Sequence, residues 1–205
     1  MNNHQVSAVN YQLVIFDLDG TLYNKHSLSL RMVCHAPFNI RKMQAERHVR
    51  STMKGIWLGD ECSFYNKYFQ HLANTLQISQ QDAQQWYNQR YMPLMVRLIG
   101  KYHPVGKWVL PFIEECKAKG IKMVVLSDYG HAHEKLQALG ISPTLFDWVI
   151  AAPELGGLKP APELLHKVAE KMGIPPEQSL VIGDRDDTDG AMAYATGAQF
   201  QKVSY

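Results

Sequence analysis

The sequence predicts an α/β fold in which a parallel sheet is covered by helices on both faces. Short, almost continuously apolar segments alternate with helical segments in the second half of the 205-residue chain, which is typical of buried parallel strands. Polar residues follow the ends of these strands, where an open α/β sheet binds its ligands. A long stretch without a convincing strand, residues 23–99, separates the first strand from the rest and predicts an inserted helical module.

The composition is that of an ordinary globular protein. Hydrophobic residues make up 46% of the chain, enough for a buried core, and charged residues make up 20%. The net charge of +2 argues neither for nor against a nucleic-acid partner, and no concentrated basic tract supports one. No segment approaches the apolar length of a membrane span, and residues 1–10 read as a loose polar tail without signal-peptide order. Three widely spaced cysteines fit a reducing compartment, so we expect a cytoplasmic location.

The first strand is predicted over residues 11–16, and helical spacing follows it. Four helices are expected in the insertion, over residues 28–34, 39–54, 61–76 and 79–99, with Pro93 bending the last one. The third is the clearest, since its apolar residues recur every three or four positions from Phe64 to Leu76.

Strands and helices alternate in the remainder of the chain. We expect strands over residues 121–126, 148–152 and 179–182, helices over residues 105–119, 131–139, 162–172 and 190–196, and an edge strand over residues 199–203. Gly120, Gly140 and Gly173 end three of these helices. The predicted organisation is therefore an α/β core, residues 1–22 and 100–205, and an inserted helical domain, residues 23–99.

Two carboxylates, Asp17 and Asp19, stand where the first strand ends. Side chains of a strand alternate between its faces, so both can lean into one space while Leu18 points away, and Gly20 permits a tight turn. Carboxylates this close repel each other, which raises the pKa of one of them or requires a cation. Magnesium suits such a place, because it takes one or two carboxylates together with water and phosphate oxygens. The alternative is that both residues merely cap the next segment.

Three further polar side chains follow later strands. Ser127 ends the second strand, Lys159 follows the third and Asp184 follows the fourth. Each has an ordinary alternative: a helix N-cap for Ser127, a solvated loop lysine for Lys159 and a helix-capping acid for Asp184. Together with the two aspartates they supply the nucleophile, acid/base, hydroxyl, cation and metal carboxylate that phosphoryl transfer requires.

In these motifs the chain resembles the haloacid dehalogenase-like (HAD) superfamily of phosphohydrolases over nearly its whole length. Residues 17–22 match the opening motif of that family, residues 124–127 its second, residues 157–160 its third and residues 181–184 its fourth. The helical insertion resembles the α-helical cap of the phosphoglycolate phosphatase-like branch. The resemblance therefore implies a Rossmann-like parallel core with a helical cap.

The resemblance also implies a role for each motif residue. Asp17 would attack phosphorus and form an aspartyl-phosphate, while Asp19 would protonate the leaving oxygen and then activate water. Ser127 would bind the phosphate oxygens, and Lys159 would neutralise charge on the nucleophile and the phosphoryl group. Mg²⁺ would be held by Asp17, the backbone carbonyl of Asp19, and Asp184.

Two residues are expected to support this site. Thr21 would support Asp19, or it merely stabilises the turn. The fourth motif contains further aspartates, so the partner of Asp184 is Asp187 or Asp189, and the spacing in the family favours Asp189.

The expected function is a magnesium-dependent phosphatase that hydrolyses a small phosphorylated metabolite. An aspartate at position 19 favours phosphate esters over carbon–halogen bonds, since dehalogenases of this fold need no acid for the leaving group. The alternatives are a phosphomutase of the same fold and a non-catalytic phosphate-binding protein. The cap carries basic residues that would either favour a substrate with a second anionic group or form a solvated helix face: Arg31, His35, Arg41, Lys42, Arg47 and His48. The sequence identifies neither the substrate nor the oligomeric state.

Overall fold

The sheet of the computed structural model, which describes residues 11–205, has five strands. The expected N-terminal tail, residues 1–10, lies outside the described residues. The strands are β1 (Leu13–Phe16), β2 (Lys122–Ser127), β3 (Trp148–Ala151), β4 (Ser179–Gly183) and β5 (Gln199–Lys202). All neighbours are parallel, in the order β3-β2-β1-β4-β5. The predicted parallel α/β sheet is confirmed, with the final strand at its edge.

β1 is the central strand, since it pairs with β2 on one side and with β4 on the other. All four of its side chains are buried. Val14 and Phe16 pack into one hydrophobic cluster, and Leu13 and Ile15 pack into a second. Because side chains alternate along a strand, these clusters lie on opposite faces of the sheet, and helices cover both.

Helices fill the interval between β1 and β2. They are α1 (Leu28–His35), α2 (Ile40–Thr52), α3 (Glu61–Leu76), α4 (Gln80–Trp86), α5 (Met92–Tyr102) and α6 (Val109–Ala118). We call α1 to α5, residues 28–102, the helical insertion. The helix predicted over residues 79–99 is divided by a π-helical segment, Tyr87–Tyr91, just before Pro93. Proline has no backbone N–H to donate, so it fits the first turn of α5.

The helix predicted over residues 105–119 begins four residues later than expected, at Val109. Val105 instead forms an isolated antiparallel bridge with Tyr23, which draws the start of this segment towards the turn after β1. The backbone N–H of Gly106 also donates to the carbonyl of Leu22 at 2.9 Å. The end of the helical insertion is therefore tied to the end of the first motif.

The rest of the chain places polar loops at one edge of the sheet. Its helices are α7 (Ala132–Ala138), α8 (Pro162–Met172) and α9 (Ala191–Thr196), with a π-helical segment, Asp186–Gly190, before α9. Because all strands run parallel, the carboxyl ends of β2, β1 and β4 lie side by side, which is where ligands bind in such sheets. Among residues 11–205, no helix combines the length and the apolar character needed to cross a membrane.

Candidate active site

Asp17 directly follows β1 and is the centre of a buried ion-pair group. Its Oδ1 accepts a hydrogen bond from Nζ of Lys159 at 2.6 Å. The same Nζ contacts Oδ1 of Asp189 at 2.6 Å and donates to the carbonyl of Leu126 at 3.1 Å. All three charged side chains are buried. Lys159 therefore joins two carboxylates that are distant in sequence, and the loop-lysine alternative is not supported.

Burial and neighbouring charges together determine the direction in which the pKa values of Asp17 and Lys159 shift. Burial raises the pKa of Asp17, and the negative charges of Asp189 and Asp19 add to that rise against the opposing effect of Lys159. Burial on its own lowers the pKa of Lys159, but Asp17 and Asp189 outweigh it and hold that pKa well above its usual range. Lys159 is therefore charged at neutral pH, and its charge favours the ionised form of Asp17.

Thr21 contacts Asp17, so the expectation that it supports Asp19 is wrong. Its Oγ1 donates to Oδ2 of Asp17 at 2.7 Å. The reason is the tight turn after the strand, in which the N–H of Thr21 donates to the carbonyl of Leu18. This turn brings position 21 back over position 17, and the hydroxyl orients the carboxylate of Asp17.

Asp184 follows β4 and forms an acidic group with Asp17 and Asp189. Each of the three offers an oxygen, and these oxygens all lie within 4.8 Å of one another. Burial raises the pKa of Asp184, and the charge of Asp17 adds to this. Hard carboxylate oxygens at this spacing suit a divalent cation, which would relieve their repulsion. The side chains present therefore fit a metal site.

Lys25 brings a cation to the same place. Its Nζ donates to the backbone carbonyl of Asp19 at 2.8 Å and contacts Oδ2 of Asp184 at 2.6 Å. Both oxygens belong to the expected metal ligands, so they converge on one position that a cation can occupy. The side chain of Lys25 is 43% exposed. It is thus held less firmly than the buried Lys159.

The structure distinguishes between Asp187 and Asp189, the two candidate partners of Asp184. Asp189 is buried and belongs to the acidic group. Asp187 is exposed and pairs with Arg185 at 2.7 Å and with Lys54. Asp189 is therefore the residue that lies at the site.

Donor groups surround the carboxylate of Asp19. Its Oδ1 accepts from the hydroxyl of Tyr23 at 2.6 Å and its Oδ2 from the hydroxyl of Ser127 at 2.9 Å. Nζ of Lys135 lies 2.8 Å from both oxygens. Burial would raise the pKa of Asp19, but Lys135 and these hydrogen bonds outweigh burial and leave the pKa below its ordinary value. Asp19 is therefore ionised at neutral pH in this arrangement.

Ser127 lies at the site and does not cap α7. The residue before α7 is His131, and no side chain caps that helix. The hydroxyl of Ser127 instead donates to Asp19 and accepts from the N–H of Tyr129 at 3.1 Å. The N-cap alternative for Ser127 is therefore not supported.

Lys135 is a site residue that the sequence reasoning missed. It lies in α7 and its side chain is fully buried. The available signal was its position, since it follows Ala132 by three residues and precedes Leu139 by four. A lysine on the apolar face of a short helix requires a buried negative partner, and Asp19 supplies it.

A cavity of about 430 Å³ opens beside Asp19, between the first motif and the helical insertion. Most of its wall is apolar and comes from α1, α2 and α5. Of the six basic cap residues considered above, Arg47 lines it, and Nη2 of Arg47 donates to Oγ of Ser29 at 2.7 Å. Arg31 lies 4.2 Å from the ring of Tyr102, away from this wall. These positions favour a solvated helix face for most of that basic set.

The fold and site agree with the match to a known family. The haloacid dehalogenase-like hydrolase model matches residues 11–197, and the chain therefore belongs to that family.

A relative supports the same family, and a solved structure has the same fold. The chain is 30% identical over 193 residues to a glyceraldehyde 3-phosphate phosphatase from Methanocaldococcus jannaschii, covering 86% of this chain and 77% of that protein. It is 28% identical over 175 residues to the chloroplastic protein SUPPRESSOR OF QUENCHING 1 from Arabidopsis thaliana, covering 83% of this chain but only 16% of the plant protein. A crystal structure of a predicted phosphoglycolate phosphatase from Haemophilus somnus 129pt superposes with a TM-score of 0.63 at 21% identity, covering 96% of this chain and 86% of that one.

Proposed function

We propose that this chain is a magnesium-dependent phosphatase that hydrolyses a small phosphomonoester through an aspartyl-phosphate intermediate. The observation that carries the proposal is the contact of Lys159 with Asp17 inside a group of carboxylates at the sheet edge. It provides a nucleophile, a neutralising cation and metal ligands in one place. The phosphatase named among the relatives supports the same reaction class.

Asp17 is the proposed nucleophile. One of its carboxylate oxygens forms a bond to phosphorus as the bond from phosphorus to the leaving oxygen breaks, and the electron pair goes to that oxygen. Lys159 stabilises the charge that this transfer shifts onto the phosphoryl oxygens, while Thr21 keeps the carboxylate oriented. Water then attacks phosphorus and releases Asp17 as a carboxylate together with inorganic phosphate.

Asp19 is the proposed acid and base. It gives a proton to the leaving oxygen in the first step and takes one from water in the second. Because Asp19 is ionised while Ser127 and Lys135 contact it, it gains its proton only when these contacts loosen. A bound phosphate would compete for the hydroxyl of Ser127, and that competition removes one of the contacts that keep Asp19 ionised.

Mg²⁺ would be held by Asp17, the backbone carbonyl of Asp19, and Asp184, with Asp189 placed beside them. When bound, the ion would reduce repulsion between the nucleophile and the phosphate. Support for this choice comes from the hard oxygen donors and from the ammonium of Lys25, which already joins two of them.

We further propose that the helical insertion acts as a cap domain over this core. Arg50 of α2 supports this role, because its Nη1 donates to the carbonyl of Asp128, the residue after Ser127, at 2.6 Å. The side chain of Arg50 also stacks on the ring of Tyr129 at 3.9 Å. These contacts link the insertion to the loop that carries the phosphate-binding serine.

A cytoplasmic location is proposed from the cysteines. Cys34, Cys62 and Cys116 are all free thiols, and two of them are exposed. Exposed free thiols are typical of a reducing compartment.

Release of inorganic phosphate from p-nitrophenyl phosphate, with and without magnesium chloride, tests the proposed reaction. We expect release that depends on magnesium, and a screen of phosphorylated metabolites then ranks the substrates. A phosphomutase would return the phosphoryl group to a second hydroxyl and release little phosphate. A binding protein would retain phosphate esters unchanged, and either result would overturn the proposal.

A further inference from the structure

The cavity beside Asp19 is the place where the leaving group of a substrate would lie. Asp19 of the first motif lines the cavity, as do Tyr23 and Lys25, which follow that motif. If Asp19 protonates the leaving oxygen, as the proposed function requires, then the atoms attached to that oxygen extend into this space. The chemistry of the cavity wall therefore selects the alcohol part of the substrate.

The wall of the cavity is mainly apolar. Helices α1, α2 and α5 contribute aliphatic and thioether side chains, among them Leu28, Met32, Val33, Ile40, Met43 and Met95. Methionine side chains adapt to irregular shapes and make favourable contacts with rings. Burying an apolar part of the substrate against such a wall favours binding, whereas burying a hydroxylated part contributes little.

The charged side chains on this wall already have partners. Lys25 contacts Asp184, and Arg47 donates to Ser29. The buried Glu46 accepts from the hydroxyl of Tyr91 at 2.9 Å, and its other oxygen accepts from Arg50 at 2.8 Å. A second anionic group on the substrate would compete with Asp184 for Lys25 and would lie near the carboxylate of Glu46.

The cavity is large compared with a very small leaving group. A water molecule takes about 30 Å³ of liquid volume. The 430 Å³ cavity therefore has room for a body of roughly fourteen non-hydrogen atoms. A leaving group of two or three carbons would leave most of the apolar wall in contact with water.

We propose that the substrate is a phosphomonoester of an uncharged, largely apolar alcohol or phenol of roughly this size. This inference rests on the proposed function and narrows its substrate class. It sets the chain apart from the glyceraldehyde 3-phosphate phosphatase among its relatives, whose named substrate is small and polar.

Alkylphosphonates test the inference without turnover, because their carbon–phosphorus bond is not hydrolysed by this reaction. Binding of methyl-, butyl- and hexylphosphonate is measured by calorimetry in magnesium chloride. We expect affinity to rise about fourfold for each added methylene group, which is the value for moving such a group out of water. Equal affinity along the series, or no binding of hexylphosphonate, would overturn the inference.

Val33→Phe places extra bulk in the cavity, and Cys34→Phe places the same bulk on the exposed side of the same helix. We expect Val33→Phe to weaken hexylphosphonate binding about tenfold and to leave methylphosphonate binding unchanged, while Cys34→Phe changes neither. If Val33→Phe weakened both ligands equally, the alkyl chain would lie elsewhere and the inference would fail.

Hydrolysis of the matching alkyl phosphates separates this inference from the proposed function. Rising phosphonate affinity without hydrolysis of any phosphomonoester would contradict the proposed function and leave the cavity assignment standing. Faster hydrolysis of phosphoglycolate than of hexyl phosphate, judged by kcat/KM, would contradict the cavity assignment and leave the phosphatase standing.

Discussion

Asp17 and Asp19 are two residues apart, yet the surroundings of each are built differently. Around Asp17 the charged partners come from the segments that follow strands β3 and β4, namely Lys159, Asp184 and Asp189. Around Asp19 the partners include a lysine from within helix α7, and an apolar cavity borders the carboxylate. In the proposed mechanism, the sheet edge therefore builds the half of the site that binds phosphate, whereas helices build the half that receives the leaving group.

Asp17→Asn should have the largest effect on activity. Asparagine keeps the shape of the side chain but is not a nucleophile at this centre, so we expect phosphate release to fall by about 10⁴-fold or more. Lys159 keeps Asp189 as a charged partner in this variant, so we expect its unfolding temperature to stay close to that of the wild type. Phosphate release and thermal unfolding followed by circular dichroism check both expectations.

Asp186→Asn is the matched control, because this aspartate is exposed and pairs with Lys202 near the same sheet edge. We expect its activity to stay within about twofold of the wild type, as for most surface changes. Activity above a tenth of the wild-type value in Asp17→Asn would remove Asp17 from the role of nucleophile.

Lys135→Met tests the other half of the site. It removes the buried cation that positions Asp19, and an Asp19 that stays protonated cannot take a proton from water in the second step, so we expect activity to fall by about 10²-fold. Leaving the carboxylate without its partner should lower the free energy of unfolding by about 3 kcal/mol at pH 7. Urea unfolding and phosphate release measure the two effects.

The pH dependence of the Lys135→Met effect follows from the pKa of Asp19. That pKa lies below its ordinary value of 3.8 in the folded protein, so the ion pair stabilises the fold above pH 3.8. The contribution is lost as the pH falls through the folded pKa, so the stability difference should shrink in acid. Asp19→Asn combined with Lys135→Met should regain part of the stability but not the activity. A difference that stays constant with pH would show that Lys135 acts by packing alone.

The phosphate half of the site was predictable from the sequence because its residues follow apolar strands. Parallel strands end at one edge of the sheet, so the sequence alone predicts that Ser127, Lys159 and Asp184 lie near Asp17. Lys135 lies within a short helix, and no strand end marks it. The hydrogen bond of Thr21 depends on how tightly the turn closes, which residue types alone do not determine.

Thr21→Val should have a smaller effect than either change above. Valine has the same shape but cannot donate to Oδ2 of Asp17, and a hydrogen bond to a charged group contributes about 1.5 kcal/mol. We expect kcat to fall about tenfold. Thr21→Ser retains the hydroxyl and should recover most of the rate. A similar loss in both variants would indicate that the methyl group, not the hydroxyl, matters here.

Lys25→Met should have the smallest effect. Whether it strengthens or weakens Mg²⁺ binding shows whether Lys25 competes with the metal or supports its site. The ammonium of Lys25 contacts Asp184 and the carbonyl of Asp19, both expected metal ligands. Its removal should tighten Mg²⁺ binding about threefold, because a half-exposed cation no longer competes for these oxygens. Calorimetry measures the affinity directly, without reference to turnover.

Lys202→Met is the control for Lys25→Met, since Lys202 is similarly exposed but pairs with Asp186. It removes the same charge near the same sheet edge, so a general electrostatic effect would appear in both variants. Tighter binding in Lys25→Met alone would mean that Lys25 competes with the metal. Weaker binding would mean that Lys25 orders Asp184 and the first motif for the metal. In that case the turn after β1 would be part of the metal site, and Lys25 would belong to the half of the site that surrounds Asp17.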